Sequence, residues 1–223
     1  MAHSNTPQGQ APLRPAETIW IIGGAVGFLL AMFAVILMRG SAIFLYVQDP
    51  AAVFGFSPLA GFISNLGVFA LFAAGAICVF ASYHVPARFG LLFWAGALSV
   101  MIAADDFFMF HEFLAPRIGV PEIAVFGFYA VYALGVIVVF RTALAGRAHI
   151  GLYTAAALLA ASVGVDLATA YSQTQVVFED SLKFVGLMLW AVYWVRRAHL
   201  TLAAARARVF APEPVASPVM VSG

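Results

Sequence analysis

Eight polar side chains inside or beside long apolar stretches are the residues of this sequence that could do chemistry. They are Asp105, Asp106, His111, Glu112, Asp166, Glu179, Asp180 and Lys183. Carboxylates with an imidazole suit hard or borderline divalent ions such as Mg²⁺, Ca²⁺, Mn²⁺ or Fe²⁺. If a cofactor is bound, the sequence therefore predicts such a cation, with ligands drawn from Asp105, Glu112, Asp166, Glu179 and Asp180.

Catalytic roles are predicted for Asp106, His111 and Lys183. A carboxylate or His111 would act as the base toward a metal-bound water. The carboxylates outnumber the single lysine and leave an excess of negative charge. Besides a bound cation, protonation of some carboxyl groups or access of water would compensate this charge.

Lys183 follows Glu179 by four residues and Asp180 by three. On a helix, these spacings let its ammonium reach both carboxylates. The alternative interpretation is a structural salt bridge that locks two helices together.

Asp105 and Glu112 are seven residues apart, which places them on one face of a continuous helix. Asp106 and His111 then point elsewhere, and one of the adjacent carboxylates is expected to contact a neighbouring helix or to stay protonated. Glu112 and Glu122 have a second interpretation as interfacial charges at helix ends.

The composition indicates what must position these residues. Of 223 residues, 64% are hydrophobic and only 9% are charged, and the mean hydropathy is +0.99. These values exclude a soluble globular domain and a disordered chain. The single cysteine, Cys78, excludes a disulfide scaffold, and a net charge of +1 gives no sign of nucleic-acid binding. A polytopic α-helical membrane protein remains.

Six apolar runs are long enough to cross a bilayer, which needs about 20 apolar residues per helix. They are Ile19–Met38, Ala60–Ala81, Phe89–Phe110, Ile123–Phe140, Ile150–Tyr171 and Val176–Val195. The predicted fold is an all-α bundle over residues 19–197. A disordered tail is expected at 1–18, and a helical extension with a disordered tail at 198–223.

Arginines predict the orientation. An even helix count places both termini on one side, and eight arginines collect there against two on the other. That side holds Arg14, Arg88, Arg141, Arg147, Arg196, Arg197, Arg206 and Arg208, and the other holds Arg39 and Arg117. The positive-inside rule then makes the termini cytoplasmic in a bacterial inner membrane, with Trp20 and Trp194 as interfacial anchors.

Small residues on two helices predict close helix packing. Gly23 and Gly27 form a GxxxG step, and Ala156, Ala160, Gly164 and Ala168 form a stripe. A packed monomer core and a homo-oligomer seam both fit this pattern. Membrane lipids are the expected surroundings and partners.

The polar residues share one depth. Counted from the nearest turns at 1.5 Å per residue, they lie roughly 10–15 Å below the outer surface. We therefore predict that Asp105 or Asp106, Asp166 and the Glu179–Asp180 pair meet across three helices, with carboxylates within about 8 Å of one another. Ser64 and Asn65 lie at the same level on the second run.

Two short patterns carry a resemblance. The run from Asp105 to Glu112 reads D-D-x-F-x-x-H-E, and Glu179 to Lys183 reads E-D-x-x-K. They resemble an uncharacterised group of small bacterial multi-pass membrane proteins, a likeness that implies only that these positions work together. The last-helix lysine is also faintly similar to that of microbial rhodopsins.

Three functions fit this sequence. The first is an outward-facing intramembrane site that binds a cation and hydrolyses or modifies a lipid-like substrate. The second is a proton- or cation-coupled transporter that uses the same carboxylates and Lys183 as a relay. The third is a non-catalytic membrane subunit.

Overall fold

The computed structural model describes residues 15–86, 89–168 and 172–209, and every regular element in these ranges is a helix. The all-α prediction is therefore confirmed for the described residues. Arg14, Arg88 and Tyr171 lie outside them, as do most of the two predicted tails. The chain divides into two units, residues 1–60 and 61–223.

The first unit contains one long helix and two short ones, α1 (Pro15–Met38), α2 (Phe44–Val47) and α3 (Pro50–Phe54). Asp49 caps α3, since its Oδ1 accepts a hydrogen bond from the backbone N–H of Ala51 at 2.8 Å. Gly55 ends the same helix in the left-handed conformation with φ 69°.

The second unit contains the residues of chemical interest. Its helices are α4 (Phe62–Ser82), α5 (Leu91–Phe107), α6 (Ala115–Arg117), α7 (Glu122–Val139), α8 (Arg141–Leu144), α9 (Ile150–Ala168) and α10 (Gln173–Val209). A π-helical segment, Phe110–Leu114, follows α5, and a 3₁₀ turn, Arg147–His149, precedes α9. Each long helix overlaps one predicted apolar run.

Four described helices are long and apolar enough to cross a membrane, namely Thr18–Met38, Phe62–Ser82, Glu122–Val139 and Arg147–Ala168. A fifth candidate is the pair Leu91–Phe107 and Phe110–Arg117, which is bent by 57° at a short break. The sixth predicted run lies in α10, which does not meet the same criterion. Its first half contains Glu179, Asp180 and Lys183, which lower its apolar character.

Helix α4 is the centre of the second unit, because α5 packs along one side of it and α10 along another. Helix α9 packs on α10, and α7 packs on α5. Two glycines set the α4–α5 distance: a Cβ added to Gly96 would lie 2.8 Å from the Gly75 carbonyl oxygen. A Cβ added to Gly186 would lie 3.0 Å from Leu159, so α9 and α10 also approach closely.

The predicted small-residue stripe on α9 is not its contact face. Leu152, Ala155 and Ser162 are buried there, whereas Ala160 and Gly164 are exposed. On the side of α9 that packs on α10, Leu159 lies against Gly186.

In the first unit, a Cβ added at Gly23 or Gly27 of α1 would meet no atom within 4 Å. Trp194 is not an interfacial anchor. It is only 2% exposed and belongs to the apolar core beside Trp190.

Candidate functional site

The site begins where α5 ends. Phe107 is its last residue, and the chain turns at Met109, whose φ of 48° lies in the left-handed region. Met109 is the one non-glycine residue with positive φ among the described residues. Because the helix stops here and restarts as the π-helical segment, residues on the two sides of the break can face each other.

Asp105 and His111 use this break to form a tight pair. One carboxylate oxygen of Asp105 accepts the backbone N–H of His111 at 2.9 Å, and the other lies 2.6 Å from Nδ1 of the same residue. Both side chains are buried, at 5% and 8% exposure. The expectation that His111 points away from Asp105 is therefore wrong, because it assumed a continuous helix.

The pairing fixes which ring nitrogen of His111 is available. With Asp105 as a carboxylate, which can only accept hydrogen bonds, Nδ1 is the donor of this pair. Nε2 lies 3.6 Å from a Glu112 oxygen and 3.8 Å from a Glu122 oxygen, beyond hydrogen-bond range. The Glu112 side chain is 57% exposed, so Nε2 lies beside an exposed carboxylate.

Helix α7 supplies the wall opposite the break. Glu122 stands at its first residue, the ring of Phe126 lies 4.9 Å from the His111 ring between centroids, and the Tyr129 phenol interacts with Asp105. Sequence reasoning missed Phe126 and Tyr129. Their spacing of four and seven residues from Glu122 places all three on one helical face, which is the signal that could have found them.

Asp106 points the other way and joins α5 to α10. Its Oδ1 accepts a hydrogen bond from Nζ of Lys183, which forms an ion pair across 77 positions of sequence. The side chains are 11% and 25% exposed, and Oδ2 of Asp106 is buried without a partner among the described atoms. The expected contact of one carboxylate with a neighbouring helix is found here.

The predicted salt bridges within α10 do not form. Lys183 pairs with Asp106, and Glu179 instead accepts a hydrogen bond from Nε2 of Gln175 at 3.1 Å. Asp180 remains within electrostatic range of Lys183 and Asp106. Lys183 therefore links α10 to α5, whereas Glu179 bonds to a residue of its own helix.

Helix α4 reaches the same level through a small cavity against α10. Ser64 and Gly67 line it from α4, and Asp180, Lys183 and Phe184 line it from α10. Ser64 of the second predicted run therefore lies beside Asp180 and Lys183. Asn65 is not among the cavity residues.

Asp166 lies within electrostatic range of carboxylates on two other helices. It interacts electrostatically with Glu122 on α7 and with Glu179 on α10. Glu112 in turn interacts with Lys183 and Glu179. That these carboxylates meet in one site stays a prediction.

The predicted metal ligands are not gathered around one point. Among residues 15–86, 89–168 and 172–209, no three His, Cys, Asp or Glu side chains are arranged to hold a metal ion. Asp105 is engaged by His111, and Glu179 is engaged by Gln175.

Packed apolar side chains lie below the site. Trp190 on α10 donates its indole N–H to the Ser99 hydroxyl of α5 at 2.8 Å, and Leu71 and Leu98 are almost fully buried nearby in the same cluster. Toward the far end, Cys78 Sγ contacts the carbonyl oxygen of Trp194 at 3.5 Å. The site is therefore open at one end of the bundle and packed beneath.

Over residues 18–197, the chain matches a family described as a domain of unknown function, DUF8692, and it belongs to that family. No curated protein and no solved structure matches the chain.

Proposed function

We propose that this member of the DUF8692 family is a multi-pass protein of a bacterial inner membrane with a one-sided polar site, in which Asp105 and His111 accept a proton from a lipid-like substrate or from the water that attacks it. The observation that carries this proposal is the orientation of His111. Its Nδ1 is held by a buried carboxylate at 2.6 Å, and its Nε2 is left for chemistry.

In this proposal the pair takes the role of general base. A carboxylate on one nitrogen fixes the tautomer and stabilises the imidazolium that forms when the other nitrogen takes a proton. Asp105 also accepts the backbone N–H of His111, which holds its carboxylate beside the ring, so the ring cannot turn away without losing its hydrogen bond to Asp105. Glu112 and Glu122 would then attract the protonated ring and lower the cost of charging it.

Lys183 and Asp106 have a positioning role in this proposal. Their ion pair ties the end of α5 to α10, and so holds the break at which Asp105 and His111 meet. Neither side chain needs to touch the substrate for this role.

For the membrane arrangement, we propose six crossings with both termini cytoplasmic. The four apolar helices and the bent pair supply five crossings, and α10 supplies the sixth because its 37 residues are about 55 Å long. Its charged first half is then shielded by α4, α5 and α9. The arginine distribution supports cytoplasmic termini, which makes the acidic end of the bundle the outer end.

This orientation has a direct test. A reporter enzyme that works only in the cytoplasm should be active when it is fused after Gly223. A reporter that works only in the periplasm should be active when it is fused within residues 118–121, between α6 and α7. The reverse result at either position would contradict the proposed orientation.

The chemistry has its own test. Purified protein in bacterial lipid vesicles should convert a lipid of the extract, as measured by mass spectrometry of the lipids before and after incubation. His111→Gln should lower the rate by at least on the order of 100-fold, which is the smallest usual contribution of a general base. Asp105→Asn should lower it as well, because the amide no longer stabilises an imidazolium.

His149→Gln is the matched control. His149 is also buried, and its Nδ1 is bonded to the Tyr193 hydroxyl at 2.7 Å, but it lies at the opposite end of the bundle. Equal losses in the His111 and His149 variants would show that the assay reports folding alone. Unchanged lipids with the wild-type protein would refute the lipid chemistry.

A non-catalytic role has one observation in its favour, since ion pairs between helices also hold a membrane subunit together. This role predicts that His111→Gln changes only stability. Transport has less support, because the packed side chains around Trp190 and Leu98 lie where a relay to the other end would run.

A further inference from the structure

The charges of the second unit are separated along its helices. Helix α7 begins with Glu122 and is followed by Arg141, while α9 is preceded by Arg147 and carries Asp166 near its end. Because these helices run in opposite directions, both carboxylates lie at one end of the bundle and both arginines at the other.

Helix α10 shows the same separation. Asp180 and Arg196 are sixteen residues apart, which corresponds to about 24 Å along a helix. This length is close to that of a bilayer core, about 30 Å thick. The end of the bundle opposite His111 is therefore basic, and we call Arg141, Arg147, Arg196 and Arg197 the basic patch.

The basic patch stands on a fixed scaffold. Arg197 donates a hydrogen bond to the carbonyl oxygen of Ala143 at 3.4 Å, which joins α10 to α8. Leu144 in α8 is fully buried, and His149 in the next turn is bonded to Tyr193 of α10. The arginines thus extend from backbone segments that pack against one another.

The patch lacks internal counter-ions. In the described ranges, no carboxylate forms an ion pair with any of its four arginines. Arg141, Arg147 and Arg196 are exposed, and Arg197 is partly buried. Planar guanidinium groups match phosphate oxygens with two parallel hydrogen bonds, so a phosphate-bearing partner complements this surface.

Exposed apolar side chains lie directly beside the arginines. Val139 is 72% exposed two residues before Arg141, and Ile150 is 69% exposed three residues after Arg147. A partner that carries both phosphate and hydrocarbon fits this border, which a free phosphate ion would leave uncovered.

We propose that the basic patch binds the phosphate head groups of anionic phospholipids, with their acyl chains against the apolar surface next to it. This inference does not depend on the proton chemistry at His111, because it concerns the opposite end of the bundle.

The experiment measures lipid binding to the full-length protein in neutral detergent. Phosphatidylglycerol or phosphatidylcholine is added, and bound lipid is counted by native mass spectrometry. We expect the wild type to prefer phosphatidylglycerol. Arg141→Gln with Arg147→Gln should lose on the order of 25-fold of this preference, since each arginine contributes roughly fivefold near an anionic surface.

Arg117→Gln is the matched control, because Arg117 lies at the other end of the bundle with its guanidinium on the Phe113 ring, and it should bind lipid as the wild type does. If the double variant does not fold, Arg196→Gln tests the same patch with an expected loss of roughly fivefold.

Three results would overturn the inference. They are equal binding of the two lipids by the wild type, a loss in Arg117→Gln as large as in the patch variants, and full competition by soluble glycerol phosphate at the concentration of the lipid. The last result would identify a site for free phosphate.

Discussion

Removing Lys183 should cost more stability than removing Asp106, although the two side chains form one ion pair. Lys183→Met leaves the Asp106 carboxylate, which is only 11% exposed, without its cation. The second oxygen of Asp106 already lacks a partner among the described atoms, so the variant would bury an uncompensated charge. Breaking a buried pair in this way costs about 3–5 kcal/mol.

Removing the charge of Asp106 leaves other carboxylates near Lys183. Asp106→Asn leaves the Lys183 ammonium within electrostatic range of Asp180 and Glu112, which can replace part of the lost attraction. Lys183 is also more exposed, at 25%, so water can solvate it. We therefore expect this variant to lose roughly 1–2 kcal/mol, about the net value of a hydrogen bond to a charged group.

The assay is a double-mutant cycle on thermal or denaturant unfolding in one detergent. The doubly substituted protein should be more stable than the sum of the single losses predicts by about 1–3 kcal/mol, because the second change removes the group that the first leaves unpaired. Glu179→Gln serves as the control on the same helix, since Glu179 bonds Gln175 rather than Lys183. A coupling below about 0.5 kcal/mol, or Lys183→Met as stable as the wild type, would refute a desolvated pair.

Three further measurements test other parts of the structure. Gly96→Val should lower the free energy of unfolding by about 1–3 kcal/mol or more, because its Cβ would lie 2.8 Å from the Gly75 carbonyl oxygen, while Gly164→Ala, with open space around it, should have little effect. Met109→Gly should raise the unfolding temperature, since glycine adopts the left-handed conformation without the steric cost of roughly 1 kcal/mol that methionine carries there. A large decrease would contradict the left-handed conformation at the break. Cys78, which is fully buried, should react with a maleimide only after unfolding, and rapid labelling of the native protein would show that the α4–α10 contact is open.

Sequence reasoning located the long helices because their apolar runs are continuous. The run predicted at Ile123–Phe140 is α7 at Glu122–Val139, and the run predicted at Ala60–Ala81 is α4 at Phe62–Ser82. The break after α5 could not be predicted in the same way. Neither glycine nor proline occurs between Phe107 and Phe110, so no local signal ends the helix there.

The ion pair of Lys183 could not be predicted from the sequence for a different reason. Spacing within α10 made Glu179 and Asp180 the obvious partners of Lys183, since helical neighbours can be counted along the chain. The actual partner, Asp106, depends on the order in which α5, α4 and α10 pack. That order follows from the space at Gly75 and Gly67, which has meaning only when the facing helix is known.

The break and the two adjacent aspartates belong to one arrangement. On a continuous helix, positions six apart such as 105 and 111 differ by about 240° around the axis, so their side chains could not meet. The left-handed Met109 brings them together at a backbone cost of roughly 1–2 kcal/mol. The two hydrogen bonds from His111 to Asp105 offset that cost, and Asp106 is then free to face α10. One left-handed residue thus directs one carboxylate to a histidine and its neighbour to a lysine, and residues held in such sparsely populated conformations cluster at functional sites.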